Sequence, residues 1–364
     1  MAVQRVLVTG GGTGGHIFPA LAIAGELRRQ APRMEVRFAG SRYGMERRIV
    51  PGRGFRLHLL HVKGLRGKGL LDTVHSLALL PLALAEALAI LLSFQPQAVV
   101  GVGGYASFPV ALAGKLLGRP LLVQEQNWAP GFANRVLGRL ARTVAVSFPQ
   151  SADAFGPGKT VLTGNPVRPD FAAIGPPDRA APPGLLIFGG SRGARTINRA
   201  VCAALPALAG TGVEMRIRHQ TGAEDERWVA EAYRHAGVEA EVSAFIEEMP
   251  AAMAECSLAL CRSGASTVAE LAAAGRPAVF VPFPQATGGH QEQNAFAVAQ
   301  AGAGLVIPQE KLDPGGLAET LAALLADRGR LDRMAEAAKS LARPDAAAKI
   351  AGLVLGMIGG RPRD

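Results

Sequence analysis

The chain has 364 residues, of which 49% are hydrophobic and 19% charged, enough for two buried domain cores and too apolar for a disordered or fibrous protein. The formal net charge of +10 is unevenly placed: residues 1–165 hold 19 Lys+Arg against 7 Asp+Glu, and residues 166–364 hold 20 against 22. A basic half suits an anionic membrane surface or a polyanionic substrate; with 5% aromatic residues and no basic helix or aromatic-basic module, nucleic acid is not an expected partner.

Residues 5–9, Arg-Val-Leu-Val-Thr, predict a strand. The tight loop Gly10-Gly11-Gly12-Thr13-Gly14-Gly15-His16 follows it, and residues 17–24 predict a helix. Such a loop offers backbone N–H groups and the positive end of a helix dipole, a fit for a phosphate or diphosphate. The apolar residues 6–8 run straight into glycines, so no signal peptide is expected. Strand-like and helix-like segments then alternate, as βαβ units on a parallel sheet do. Residues 35–39 and 55–61 are the next two strands, and residues 63–69, Lys-Gly-Leu-Arg-Gly-Lys-Gly, predict a flexible basic loop.

Residues 70–94 are the most apolar part of the chain. Residues 77–94 approach the length that crosses a bilayer, yet Pro81 interrupts them, Glu86 sits inside them, and Asp72 and His75 come before. Three readings stay open here: a spanning helix, a buried domain helix, and a helix with one face against lipid. The neighbouring basic loop favours the last, because an apolar and a cationic signal together make a reversible membrane anchor.

Residues 98–102 predict a buried strand, followed by a second glycine turn, Gly103-Gly104-Tyr105-Ala106-Ser107. The strand 121–124 ends in Glu125-Gln126-Asn127, three polar side chains at a carboxyl end, where ligands bind in open parallel sheets. Strands at 143–147 and 160–163 close this half, and the Pro/Gly-rich residues 174–184 read as a linker. The pattern restarts with a strand at 185–188, a glycine loop at 189–194 and a helix at 195–208. Further strands are expected at 214–219, 241–245, 258–261 and 277–281, and terminal helices at 330–342 and 345–358, broken at Pro344. Cys202, Cys256 and Cys261 form no CxxC pair and read as small buried hydrophobes of a reduced, cytoplasmic protein.

In Arg262-Ser263-Gly264-Ala265-Ser266-Thr267-Val268-Ala269-Glu270 a strand turns into a helix, with Glu270 on the face of Ser266. A carboxylate one turn inside a helix can accept both hydroxyls of a ribose while first-turn N–H groups hold phosphates; the same residues also suit a merely capped helix. Amide side chains in Gly289-His290-Gln291-Glu292-Gln293-Asn294, at the next strand end, can bind sugar hydroxyls. No Asp-x-Asp occurs in the chain, so no carboxylate pair for a metal under a diphosphate is expected, and no cofactor.

The ordered stretches GGGTGGHIFPALAIA, GVGGYASFP, QEQNWAPGFANR, TGNPVR, FGGSRGART, CRSGASTVAE and HQEQNA resemble the motif series of the MurG family. These are the UDP-N-acetylglucosamine:N-acetylmuramyl-(pentapeptide) pyrophosphoryl-undecaprenol N-acetylglucosaminyltransferases of peptidoglycan synthesis. The resemblance spans nearly the whole chain. It implies an α/β GT-B fold, two Rossmann-like doubly wound domains with a cleft between them. Residues 1–165 would form an acceptor- and membrane-facing domain, residues 166–344 a UDP-sugar domain, and a final helix at about 345–364 would return to the first. It further implies UDP-N-acetylglucosamine as donor, an undecaprenyl-linked muramyl-pentapeptide as acceptor, a peripheral place on the cytoplasmic face of the inner membrane, and cell-wall synthesis proteins as partners.

Carried over by motif, Glu270 would hold the ribose, and Ala265, Ser266, Thr267, Val268 and Ala269 the diphosphate and neighbouring groups. Ser191 would bind phosphate, Ile246 would face uracil through its backbone, and Arg168 would lie nearby. Gln291 and His290, with Asn127 across the cleft, would meet the sugar, and Thr13, Gly14 and Gly15 would close over the donor. Family members often carry glutamine after the serine of the second glycine loop, where this chain has Arg192. His16 is the expected general base of an inverting displacement and Glu125 the alternative. Three other readings stand beside this one: a GT-B transferase with another lipid or a soluble acceptor, a nicotinamide or flavin oxidoreductase, and a non-enzymatic adaptor. For the oxidoreductase the acidic partner fits poorly, since Glu35 precedes its strand; an adaptor would need no Glu270.

Overall fold

The computed structural model describes residues 3–63 and 78–359, which divide into two compact units: the described residues up to 167 together with 343–359, and residues 168–342. The first unit is built on seven strands: β1 (Arg5–Thr9), β2 (Glu35–Ser41), β3 (Arg56–Leu60), β4 (Ala98–Gly101), β5 (Leu121–Glu125), β6 (Thr143–Val146) and β7 (Thr160–Leu162). They lie in the order β3-β2-β1-β4-β5-β6-β7, with Val6 paired to Val36 on one side and to Ala98 on the other. Every pairing is parallel. The second unit has six: β8 (Gly184–Phe188), β9 (Arg216–Gln220), β10 (Glu241–Ser243), β11 (Leu258–Cys261), β12 (Ala278–Phe280) and β13 (Gly304–Val306), ordered β10-β9-β8-β11-β12-β13 and again all parallel.

Both sheets are doubly wound: the chain starts in the middle, winds to one edge, then crosses back and winds to the other. Each therefore has one switch point, between β1 and β4 in the first unit and between β8 and β11 in the second. Helices cover both faces, so the central strands are buried on both sides and read as unbroken apolar runs, Val6-Leu7-Val8 and Leu185-Leu186-Ile187 among them. The helix Ala346–Ile358 belongs to the first unit, where Ile350, Ala351 and Val354 pack into the core formed by Val6, Ile23 and Leu27.

Two expectations change. The Pro/Gly-rich stretch 174–184 is no linker between units: the chain changes unit at Val167/Arg168, and this stretch is a strap fastened to the second unit. Arg276 donates to the Gly175 carbonyl, Arg328 to those of Arg179 and Ala181, and Arg179 pairs with Asp332. Its prolines remove backbone donors from this path, and the arginines supply side-chain donors to its carbonyls. The apolar stretch 70–94 also resolves in part. Residues 64–77, which include most of the basic loop, Asp72 and His75, lie outside the described residues. The remainder forms the helix Leu80–Phe94, and Pro81 stands in its first turn, where a missing N–H leaves no gap in the ladder.

That helix buries Ala83, Ala87, Leu91 and Phe94 against the sheet. Glu86 is not stranded in it, for its carboxylate accepts from the His61 backbone N–H at 2.8 Å and meets the His61 ring at 2.5 Å. On the outer face Leu82 and Leu92 are 46% and 61% exposed. Among the described residues no helix is long and apolar enough to cross a membrane.

Candidate active site

The two switch points carry the glycine motifs. In the first unit the loop after β1 meets the turn after β4 backbone to backbone: a Cβ at Gly104 would overlap the Gly11 carbonyl, and one at Gly12 would lie 2.7 Å from the Tyr105 ring. Only glycines permit this approach. Thr13 precedes the helix Gly14–Gln30, whose first turn holds Gly14, Gly15 and His16. The Thr13 hydroxyl lies 3.2 Å from His16 Nδ1, and the Cδ2–Nε2 edge of the ring faces the α-carbon of Gly103. His16 is thus held at one nitrogen and by one ring edge, at the carboxyl edge of the sheet.

Glu125 is built into the turn that follows β5. At the end of β5 it is 1% exposed, and four N–H groups converge on its carboxylate: the Asn127 backbone at 2.9 Å, Asn127 Nδ2 at 3.1 Å, the Gly131 backbone at 3.2 Å and Asn134 Nδ2 at 2.9 Å. Burial raises its pKa, and those donors act against the rise. A carboxylate so engaged shapes the turn that carries Asn127. Asn134, which anchors it, also approaches Gly103 beside the His16 ring.

The second switch point has the same design. Ser191 and Arg192 are exposed on the loop after β8, and Gly193 packs so closely on the Thr221 carbonyl that a side chain there would overlap it. Gln220, at the end of β9, fastens this loop to the next: its Nε2 donates to the Gly190 carbonyl at 2.8 Å, and its Oε1 accepts from the Ile246 N–H at 3.1 Å. A ligand that takes the Ile246 N–H must displace the Gln220 amide. Behind the loop, His219 is held between Asn198 and Tyr233, and burial pulls its pKa down to about 4, so it stays neutral as a structural hydrogen-bonding group.

After β11 the chain passes Ser263 and Gly264 into the helix Ala265–Ala274, with Gly264 at the N-cap. Ala265, Ser266 and Thr267 form its first turn, Val268 donates back to the Gly264 carbonyl, and Ala269 and Glu270 follow. A first turn leaves its N–H groups outside the helix ladder, aimed at whatever lies beyond the N-terminus. Burial pushes the Glu270 carboxyl up to about 7 against the pull of the Arg168 charge, so the structure brings these two residues together. Arg168 itself stacks 5.0 Å from the Phe171 ring.

The loops after β11 and β12 are locked to the helix His290–Gln300. Ser263 Oγ donates to the Gln291 carbonyl at 2.7 Å, Asn294 to the Ser263 carbonyl, and the Phe283 N–H to Gln291 Oε1 at 3.0 Å. Arg262 braces the same corner through the carbonyls of Val281 and Pro282 and the side chain of Gln309. Gln291 therefore has its carbonyl oxygen fixed, which orients its amide NH2, with His290 next to it at the helix start. Among the described residues no group of three or more His, Cys, Asp or Glu that could hold a metal is present.

Thr13, Gly14, Gly15, His16, Glu125 and Asn127 thus belong to the first unit, and Arg168, Ser191, Ile246, residues 265–270, His290 and Gln291 to the second. Sequence reasoning missed Gln220, which ties two loops together, and a buried carboxylate at Glu46. The signal for Glu46 was present, since glycines at 40 and 44 sit just before it, but the meaning of that spacing depends on β2 lying beside β1.

Family comparison agrees with this layout. Residues 6–146 match the glycosyltransferase family 28 N-terminal domain, and residues 184–350 the glycosyltransferase family 28 C-terminal domain. A UDP-N-acetylglucosamine--N-acetylmuramyl-(pentapeptide) pyrophosphoryl-undecaprenol N-acetylglucosamine transferase of Syntrophotalea carbinolica is 45% identical over 348 residues, 95% of this chain and 97% of that protein. One of the same name from Nitratidesulfovibrio vulgaris is 44% identical over 368 residues, 99% of this chain and all of that protein. The crystal structure of Acinetobacter baumannii MurG superposes with a TM-score of 0.78 at 33% identity, covering 97% of this chain and 99% of that one.

Proposed function

Because this chain belongs to glycosyltransferase family 28 and, within it, to the MurG family, we infer that it transfers N-acetylglucosamine from UDP-N-acetylglucosamine to undecaprenyl-pyrophosphoryl-MurNAc-pentapeptide. The observation that carries the donor half is Glu270: a carboxylate one turn into a helix at a switch point, sheltered enough to titrate near pH 7, with the cation of Arg168 close by. The two hydroxyls of a ribose replace the water such a group lacks. First-turn N–H groups at residues 265–267 and the Ser191 loop take the diphosphate, Ile246 the uracil once Gln220 yields, and Gln291 and His290 the sugar hydroxyls.

Transfer is a single displacement. His16 takes the proton of the acceptor 4-hydroxyl as that oxygen attacks C1 of the sugar. The bond from C1 to the UDP oxygen breaks on the opposite face, so an α-linked donor gives a β-linked product. Charge developing on UDP is met by the helix N-terminus at Ala265 and by Arg168. Glu125 acts at one remove, as the anchor of Asn127.

The first unit supplies the acceptor side. Its net positive charge, the exposed Leu82 and Leu92 and the equally exposed Leu116 suit an enzyme held peripherally on the cytoplasmic face of the membrane, where a lipid-linked pyrophosphate resides.

The direct test is transfer of labelled sugar from UDP-N-acetylglucosamine to lipid-linked MurNAc-pentapeptide in detergent; folded protein that yields no product refutes this acceptor. Transfer is expected to persist in EDTA, and loss in EDTA restored by magnesium would count against a displacement run on protein groups alone. Affinity for UDP-N-acetylglucosamine, whose diphosphate does not titrate near neutrality, is expected to fall about tenfold between pH 8 and pH 6 as Glu270 takes up a proton. Calorimetric titration at both pH values checks this, and a flat profile would remove Glu270 from the ribose.

A further inference from the structure

We propose that Glu46 is a positioning residue for transfer: it is the internal anion around which the glycine loop bearing His16 is folded. Glu46 lies in the first turn of the helix Glu46–Gly52 and is 0% exposed. Its Oε2 accepts from the Gly12 N–H at 3.0 Å and its Oε1 from the Ser41 N–H at 2.7 Å. One carboxylate therefore joins the loop after β1 to the end of β2.

Three glycines make room for it. For Gly11, Gly40 and Gly44 the three nearest atoms that an added Cβ would meet all belong to the Glu46 side chain, and at each position the overlap is too close to stand. None of the three has a positive φ, so their backbones are open to L-residues. What requires glycine there is the space the carboxylate fills. The cradle also reaches the second glycine turn: Tyr105, whose ring lies on Gly12, is raised in pKa by burial first and by the Glu46 charge in addition, and hydrogen-bonds Ser41.

The consequence concerns acceptor recognition and rests on the function inferred above. A glycine loop after β1 invites the reading that its N–H groups hold the substrate diphosphate. Here the Gly12 N–H is already held by the protein's own carboxylate, directly below the loop. Glu46 fixes the path from Gly12 through Thr13 into the helix that begins at Gly14, and so fixes where the His16 imidazole stands. The acceptor phosphates are left to other donors.

Glu46→Gln keeps the shape but turns an NH2 towards one of the two backbone N–H groups, which forces the loop to shift. The expected result is a kcat lower by about 10- to 100-fold with lipid-linked MurNAc-pentapeptide, since a misplacement of an ångström suffices for that, and a Kd for UDP-N-acetylglucosamine within about twofold of wild type. Gly11→Ala is expected to lower kcat by about tenfold or more in the wild-type background and by less than about twofold in Glu46→Ala, because the obstruction is gone. Slow hydrogen exchange at the Gly12 amide, lost in Glu46→Ala, reads the same contact without any acceptor. Unchanged kcat in Glu46→Gln, UDP-sugar affinity falling in step with kcat, an equal cost of Gly11→Ala in both backgrounds, or a fast-exchanging Gly12 amide in the wild type would each overturn the proposal. If Glu46→Ala does not fold, the Glu46→Gln kinetics and the amide exchange decide it. Wild-type protein that transfers no sugar but protects the Gly12 amide would refute the acceptor while leaving the placement of the loop intact.

Discussion

Glu270→Gln is expected to weaken UDP-N-acetylglucosamine binding by about 10- to 100-fold at pH 8 and, at the same pH, to raise the stability of the protein. Both effects come from one group. In the proposed donor complex the Glu270 carboxylate would accept from both ribose hydroxyls with charge-assisted hydrogen bonds; a glutamine can accept with its oxygen only and opposes the second hydroxyl with an NH2. The stability gain follows from the raised pKa. The unfolded chain ionises this residue near its ordinary value of 4.5, the folded one only near about 7. Between these values the folded state holds the extra proton, so above pH 7 the full cost of a sheltered charge burdens the fold, and it fades as pH falls towards 4.5. Two and a half pKa units, discounted for the partial exposure of the side chain, correspond to about 2 kcal/mol. Denaturant titrations of wild type and variant should differ by that amount at pH 8 and converge near pH 4.5. A variant less stable than wild type at pH 8 would contradict this account, and one that binds the nucleotide sugar normally would dissociate Glu270 from the ribose. The variant should also lose the pH dependence of binding.

His16→Ala is expected to reduce transfer by about 10²- to 10⁴-fold, the usual worth of a general base, and to leave UDP-N-acetylglucosamine affinity within about twofold of wild type. His16 is the imidazole at the first switch point, with Thr13 at its Nδ1 and Gly103 against the other ring edge. His16→Gln separates chemistry from scaffolding. A glutamine can restore a hydrogen bond to the Thr13 hydroxyl and hold the loop, but it cannot accept the acceptor proton at neutral pH. Both variants should therefore be similarly slow. A glutamine variant that recovers most of the rate would make His16 a loop brace and send the search for the base elsewhere, with Glu125 the next side chain to substitute. Equal losses of affinity and rate would make the loop part of the donor site.

Much of the fold was legible because its signals are local. Strand, glycine loop and helix follow one another within about 20 residues at both switch points, and the apolar runs of the central strands mark a parallel sheet buried on both faces. The failures occur where a residue's role depends on a neighbour distant in the chain. Glu46 matters because β2 lies beside β1, and Gln220 because β9 lies between β8 and β10. Glu125 was legible as a carboxylate at a strand's end, but not that Asn127, Gly131 and Asn134 would turn back on it. The strap at residues 174–184 has the composition of a linker, and only the fixed guanidinium groups of Arg276 and Arg328 distinguish it from one.

The helix Ala346–Ile358 lies in sequence after the whole second unit yet fills the core of the first. As the chain leaves the ribosome, residues 168–342 are continuous and can close on themselves first. The earlier-made unit must wait with the apolar surface around Ile23 and Leu27 uncovered until residues 346–358 arrive. The order of folding then runs opposite to the order of synthesis, and the half made first is completed last.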